Sequence, residues 1–357
     1  MFIRILSCSL AGLALSLAGA GNVYADFVGP LDAPASLNTP VAQHNRLTAI
    51  ARADQKLIAV GPRGHILISL DQGEHWEQVP VPVSSDLVAV QFIDANLGWA
   101  VGHDGVVLHS ADGGRSWQKQ LDGRKVATIM REYLAQLPET DDQGATSLRD
   151  EITRFADEGA DKPFLDVLFT SAQDGYVVGA FNLALRTHDG GSTWQPMQAE
   201  IDNPSGFHLY AITQSAGRIY LAGERGLLLR QDPETQRFEA VSSPYQGSYF
   251  GLIGTEHELI AYGLQGNAFL SVDGAQSWRK LELNVMESIS SAVRLGDGRF
   301  AFATRGGQIL ISNENVSEVS PLTLRKPMPY AGLVATQART IAVVGSGGVQ
   351  LESLSSQ

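Results

Sequence analysis

Apolar and polar residues alternate along most of this chain in runs of four to seven, rich in Val, Ile, Leu and aromatic residues and punctuated by Gly, Asp and Ser. That is a period of two, the mark of short half-buried β-strands. The stretch 87–121 shows the rhythm: LVAVQFI, GWAVG, VVLHS and SWQKQL, parted by DANL, HDG and ADGGR. Each such stretch of about 40 residues predicts four strands. Only residues 122–162 break the pattern. There Lys125 to Leu137 and Thr146 to Phe155 carry apolar residues at helical spacing, with Pro138 and the polar run 140–144 between them, which predicts a helical hairpin.

The four-strand stretches are copies of one another. AVGPRGHILISLDQGEHW (59–76), AVGHDGVVLHSADGGRSW (100–117), VVGAFNLALRTHDGGSTW (177–194) and AYGLQGNAFLSVDGAQSW (261–278) superimpose directly. LAGERGLLLRQDPETQRF (221–238), ATRGGQILISNEN (303–315) and VVGSGGVQLES (343–353) follow the same register more loosely. The first glycine of the turn, or its equivalent, falls at 61, 102, 179, 223, 263, 304 and 345, so the spacing is 40 to 44 except for the one interval that holds the insertion. A repeat of this length built of four strands predicts propeller blades that bury their faces against their neighbours. The expected fold is therefore all-β: a seven-bladed β-propeller of four-stranded antiparallel blades, with a helical insertion between the second and third blades. The seventh copy runs out after three strands, so a strand from the N-terminal segment is expected to complete it and close the ring. The expected divisions are a signal peptide over 1–25, a closing segment over 26–45, and the propeller over 46–357 with its insertion at 122–162.

Composition changes the picture in three ways. Lys and Arg number 26 against 38 Asp and Glu, a net charge of -12, so no global basic field is present for nucleic acid. Arg4, the apolar stretch 5–20 and Val23-Tyr24-Ala25 read as an export signal, whose removal takes the net charge to -13. A lipoprotein reading of Leu6-Ser7-Cys8 fits less well, because the apolar stretch follows the cysteine. Cys8, the one cysteine, leaves with the signal, and with it go disulfides and thiolate chemistry. No later apolar run reaches the ~20 residues of a membrane span. An exported, periplasmic, monomeric protein is expected, lumenal only in a photosynthetic source, and without a metal or cofactor.

Two motifs recur. Ser69-Asp71-Gly73-Trp76, Ser110-Asp112-Gly114-Trp117, Thr187-Asp189-Gly191-Trp194 and Ser271-Asp273-Trp278, with Ala275 in the glycine place, resemble the Asp-box or bacterial neuraminidase repeat. In this pattern the carboxylate can accept backbone N–H groups in the turn while Trp covers it, so a structural role is expected. The second motif is Gly-x-x-Gly between the second and third strands. Its tips vary: Pro62-Arg63, His103-Asp104, Phe181-Asn182, Glu224-Arg225, Leu264-Gln265, Arg305-Gly306 and Ser346-Gly347. Variable residues on fixed geometry suggest a presentation surface at one mouth of the channel, and the insertion is expected on the same side. The expected partner-binding residues are Arg63, His103, Asp104, Phe181, Asn182, Glu224, Arg225, Gln265 and Arg305. His65, His75 and His188 read as surface or capping residues, His103 and His109 suggest a metal pair but have no defined third ligand, and Trp99 reads as blade-to-blade packing.

Over 46–357, outside the insertion, the repeat count, the Asp-boxes and the AVG-x-x-G run resemble the photosystem II assembly/stability factor family and its bacterial relatives. That resemblance implies a non-catalytic assembly or accessory factor. It also implies a basic patch, built from Gly-x-Arg-Gly tips, that engages a partner polypeptide. Here the tip matches at Arg63 and Arg225, and Arg305 lies in the related Thr304-Arg305-Gly306-Gly307; the other four tips lack Arg. The implied partner is a membrane-complex subunit or an envelope transporter. The alternative is a sialidase-like glycoside hydrolase, for which Glu224 and Asp104 are the acidic groups at the mouth, although the arginine triad and Tyr–Glu pair of that class have no convincing assignment.

Overall fold

A computed structural model describes residues 28–36, 41–138, 143–336 and 339–354. The proposed signal peptide lies outside these residues. Seven antiparallel sheets follow one another in chain order, six with four strands and the last with three. Their first strands, from Ala49–Ala53 round to Tyr330–Ala335, pack side by side around a central channel, and the last meets the first. Each sheet then runs outward by plain antiparallel neighbours, as the repeat pattern predicts.

The core lies in the seams between blades. Ile58, Ile68, Ala100 and Leu108 fill the seam of blades one and two, while Tyr176, Val178, Leu221 and Leu229 fill that of blades three and four. Into most seams the Asp-box of the later blade drives its large residue. Trp117 enters the first of these seams and Trp194 that of blades two and three, while Phe238 takes the same place in blade four. Trp99 stacks flat on Phe169 of the next blade, ring centroids 3.5 Å apart at 5°. The seventh blade has no Asp-box, and its seam with blade six holds a cavity of about 880 Å³ lined by Ile311, Leu322, Ala335 and Leu354.

The closing strand expected from the N-terminal segment is not found in its described part. Residues 28–36 lie along blade one instead: Ala35 N–H donates to the Val81 carbonyl and Ser84 N–H to that of Pro30. Residues 26–27 and 37–40 lie outside the described residues, while the short 3-10 turn Ala42–His44 does reach blade seven and packs against its last strand, Gly348–Ser353, without adding a strand. Asp32 is tied to the insertion by both Arg124 nitrogens at 2.8 and 2.9 Å, so charge pairing holds the segment on the side of blade two. The ring closes by packing, with Leu47 N–H donating to the Gly345 carbonyl.

The insertion is the expected hairpin: α1 (Gly123–Gln136) and α2 (Gln143–Glu158). The buried carboxylate of Asp122 caps α1 by accepting the Arg124 and Lys125 N–H groups, and contact with Arg124 and Lys119 holds it far below the usual carboxylate range against the cost of burial. Met130 and Val126 of α1 and Ile152, Phe155 and Ala156 of α2 are buried in the seam of blades two and three. This hairpin is anchored to the ring.

Candidate functional site

The tips gather at one mouth because each is stapled to the entry of its own blade's innermost strand. The first tip residue donates its N–H to the carbonyl just before that strand: His103 to Asp86, Glu224 to His208, Leu264 to Ser248 and Arg305 to Ser288. The second tip residue then takes the left-handed conformation even without glycine: Arg63, Asp104, Phe181, Arg225 and Gln265 have φ from 50 to 59°. A left-handed non-glycine residue costs about 1 kcal/mol, and in five blades the cost is met so that a side chain can be presented. The glycine that follows is required on two counts. At Gly64, Gly226 and Gly266 φ is 69, 79 and 69°, and an added Cβ would come within 2.1 Å of a carbonyl oxygen of the next loop.

Blade three corrects the expected tip. Asn182 has φ 68° and occupies the second glycine's place, so the tip is Ala180-Phe181. Asn182 is buried, its amide donates to Glu151 of α2 at 3.1 Å and its oxygen accepts from Asn203 at 2.9 Å, so it is placed to support the tip and is not on the binding surface. Asn serves here because it tolerates the left-handed region better than other non-glycine residues.

The remaining expected residues are arranged unevenly. Arg63 is exposed on blade one, with its N–H held by the Asp86 carboxylate at 2.8 Å. His103 is exposed, and Asp104 accepts from the Ser85 hydroxyl at 2.6 Å. Gln265 is exposed on the tip of blade five. The other side of the mouth, blades three to six, is a belt of aromatic rings and guanidinium groups. Phe181, 41% exposed, meets His208 edge-on at 4.4 Å, and Tyr210 meets Phe250 edge-on at 5.6 Å. Arg225 lies over the Phe207 ring at 5.5 Å and Arg305 over Phe250 at 5.1 Å. Neither guanidinium has an ion-pair partner among the described residues. A guanidinium laid on a ring keeps its N–H edge free for a carboxylate and loses little freedom when it binds one.

Sequence reasoning missed Phe207, His208, Tyr210 and Phe250. They sit between blades or at the start of innermost strands, where no repeat motif marks them, and only ring formation brings them to the tips.

Glu224 accepts the His208 N–H at 2.9 Å and a hydrogen bond from Tyr210. A sialidase-like nucleophile would need that phenol to ionise readily. Burial and the Glu224 charge push it upward. The Asp-box carboxylates are spent inside their turns. Asp71 accepts from Ser69 Oγ, His75 N–H and His75 Nδ1 at 2.6 to 2.9 Å, which lowers its carboxyl to about 2, and Asp273 is lowered to about 2 by Ser277 and Ser271. Glu74 brings Asp71 and His75 close to a third ligand atom, but both Asp71 oxygens are already committed.

Below the mouth the channel is a cavity of about 200 Å³ with Val90, Phe250, Leu252 and Asp166 on its wall. Asp166 accepts the Ile212 N–H of blade four at 2.9 Å and its neighbour Val167 N–H at 2.9 Å, yet burial outweighs both and pushes its carboxyl up to about 7. Because the folded value lies above the unfolded one, this group's contribution is present at acid pH and lost as pH rises through 7. Histidines buried in the fold titrate with the opposite sign, so comparison with Asp166→Asn isolates it. Between pH 5 and 8 the stability of the natural chain relative to Asp166→Asn is expected to fall by about 2 kcal/mol, less than full burial implies, because the residue is only half-buried at the channel wall. Chemical denaturation at the two pH values checks this, and a constant difference would refute it.

The fold and the ringed mouth define a seven-bladed Asp-box β-propeller that presents side chains at one opening. The family model described as Photosynthesis system II assembly factor YCF48 matches residues 68–132 and 154–315, and the chain belongs to that family. The photosystem II assembly lipoprotein Ycf48 of Synechococcus sp. (strain CC9902) is 24% identical over 140 residues, 38% of this chain and 42% of that protein. The chloroplastic photosystem II stability/assembly factor HCF136 of Cyanidioschyzon merolae (strain NIES-3377 / 10D) is 45% identical over 49 residues, 13% of this chain and 11% of that one. The chain thus spans less than half the length of the curated relatives it matches. Among solved structures, one described as YCF48 bound to D1 peptide shares 15% identity and a TM-score of 0.62 over 91% of this chain and 97% of that one. The WD40 β-propeller domain of Doa1 shares 13% and 0.60 over 92% and 98%. At these identities the likeness establishes the fold.

Proposed function

We propose that this chain is a non-catalytic assembly or accessory factor that holds an acidic stretch of a membrane-complex subunit at its tip-bearing mouth. The observation that carries this reading is the pair of unpaired guanidinium groups, Arg225 and Arg305, each set on a phenylalanine face in a chain of net charge -12. Arg63 extends the cationic rim to blade one. Family membership supports the role, and so does the solved structure of YCF48 bound to a D1 peptide. No helix among the described residues is long and apolar enough to cross a membrane. Export to the periplasm fits the leader-like first 25 residues. The test is a pull-down from envelope extracts with the natural chain and with Arg63→Glu/Arg225→Glu/Arg305→Glu. A membrane-complex subunit is expected only with the natural chain; equal recovery with both would sink the proposal.

A further inference from the structure

We propose that the helical insertion is part of the binding surface and that its Arg154 reads a further carboxylate of the acidic partner segment, extending the contact from blades four and six to blade three. This rests on the mouth as the binding site. The hairpin that carries Arg154 is rigid where it matters, since Met130 and Ile152 are fully buried and Phe155 is 1% exposed. The Glu151 carboxylate accepts from Asn182 at 3.1 Å, which locks α2 to the tip that presents Phe181. From the next turn of α2 the exposed Arg154 guanidinium lies 5.6 Å from the Phe181 ring centroid and 5.5 Å from that of Phe155.

Arg154 therefore repeats the arrangement of Arg225 on Phe207 and Arg305 on Phe250: a guanidinium on a phenylalanine face at the same mouth. Like them it has no ion-pair partner among the described residues. Lys162, also near Phe181 at 5.7 Å, differs, because Glu158 and Asp161 hold its ammonium at 2.5 and 2.7 Å. Of the two cations beside Phe181, Arg154 is the one open to a ligand. A planar guanidinium on a ring favours a carboxylate met edge-on, so the fitting ligand is an extended segment with several Asp or Glu residues. Residues 133–153, which support Arg154, fall outside the match to the family model, whereas Arg154, Phe155 and Phe181 lie within it.

The probe is a fluorescein-labelled peptide of eight glutamates, titrated against the full chain by anisotropy at several salt concentrations. Arg154→Gln is expected to weaken binding about tenfold and to flatten the salt dependence, while Arg154→Lys keeps charge without edge geometry and falls between. An unchanged melting temperature checks that the exposed substitution leaves the fold intact. If Arg154→Gln binds like the natural chain while Arg225→Gln/Arg305→Gln is impaired, the insertion's role is overturned and the mouth stands. If the peptide fails to bind the natural chain, or binds all variants equally, both readings fall.

Discussion

Arg225→Glu combined with Arg305→Glu is expected to weaken partner binding by about a hundredfold or more while leaving stability nearly unchanged. Each natural guanidinium is exposed, rests on a ring and has no internal carboxylate to lose, so reversal removes attraction without stranding a buried charge. Replacing a charge-assisted contact by a repulsive one costs on the order of 1–3 kcal/mol per site, and about 1.4 kcal/mol is tenfold in affinity. Two such sites give the hundredfold figure. Surface plasmon resonance on the captured subunit measures it, and the loss should shrink at high salt because exposed charges are screened. A loss below threefold would contradict the assignment. Arg63→Glu alone should do less, since among the described residues no aromatic ring lies beneath Arg63, which stands on blade one, apart from the aromatic belt.

Phe155→Ala is expected to cost about 3–5 kcal/mol, the usual range for deleting a fully buried aromatic ring. The ring is 1% exposed, packs in the seam of blades two and three with Met130, Ile152 and Trp194, and has Arg154 over its face. Denaturant unfolding checks the magnitude. The consequence for function follows from position: loosening α2 releases Glu151 from Asn182 and so frees the tip that bears Phe181. Octaglutamate binding should therefore fall under conditions where the variant is still folded. A cost below 1 kcal/mol would show that the insertion is not seated as described.

The repeat made the fold legible, because strand period, turn glycines and blade length all agree over seven copies. The same local logic failed where a residue departs from the repeat. Blade three has Asn182 where the other tips have glycine, and without that landmark the tip was read one residue late. The N-terminal segment was assigned to blade seven on the need for a fourth strand, but residues 28–36 answer to the Asp32–Arg124 pairing and the edge of blade one, and Ala42–His44 meet blade seven as a turn that adds no strand. Arg225 and Arg305 were visible as tip residues. Their platforms Phe207 and Phe250, and the third cation Arg154, were not. Those side chains come from an inter-blade loop, an innermost strand and an inserted helix, and no sequence spacing relates them before the ring forms.

Site-directed photocrosslinking tests the central claim most directly. A benzophenone amino acid placed at Gln265, on a mouth tip, and separately at Gln276, in an Asp-box turn at the far end of the same blade, reports which opening the partner occupies. The mouth assignment predicts a crosslinked membrane-complex subunit from position 265 and none from position 276. Crosslinking from 276 with none from 265 would contradict it.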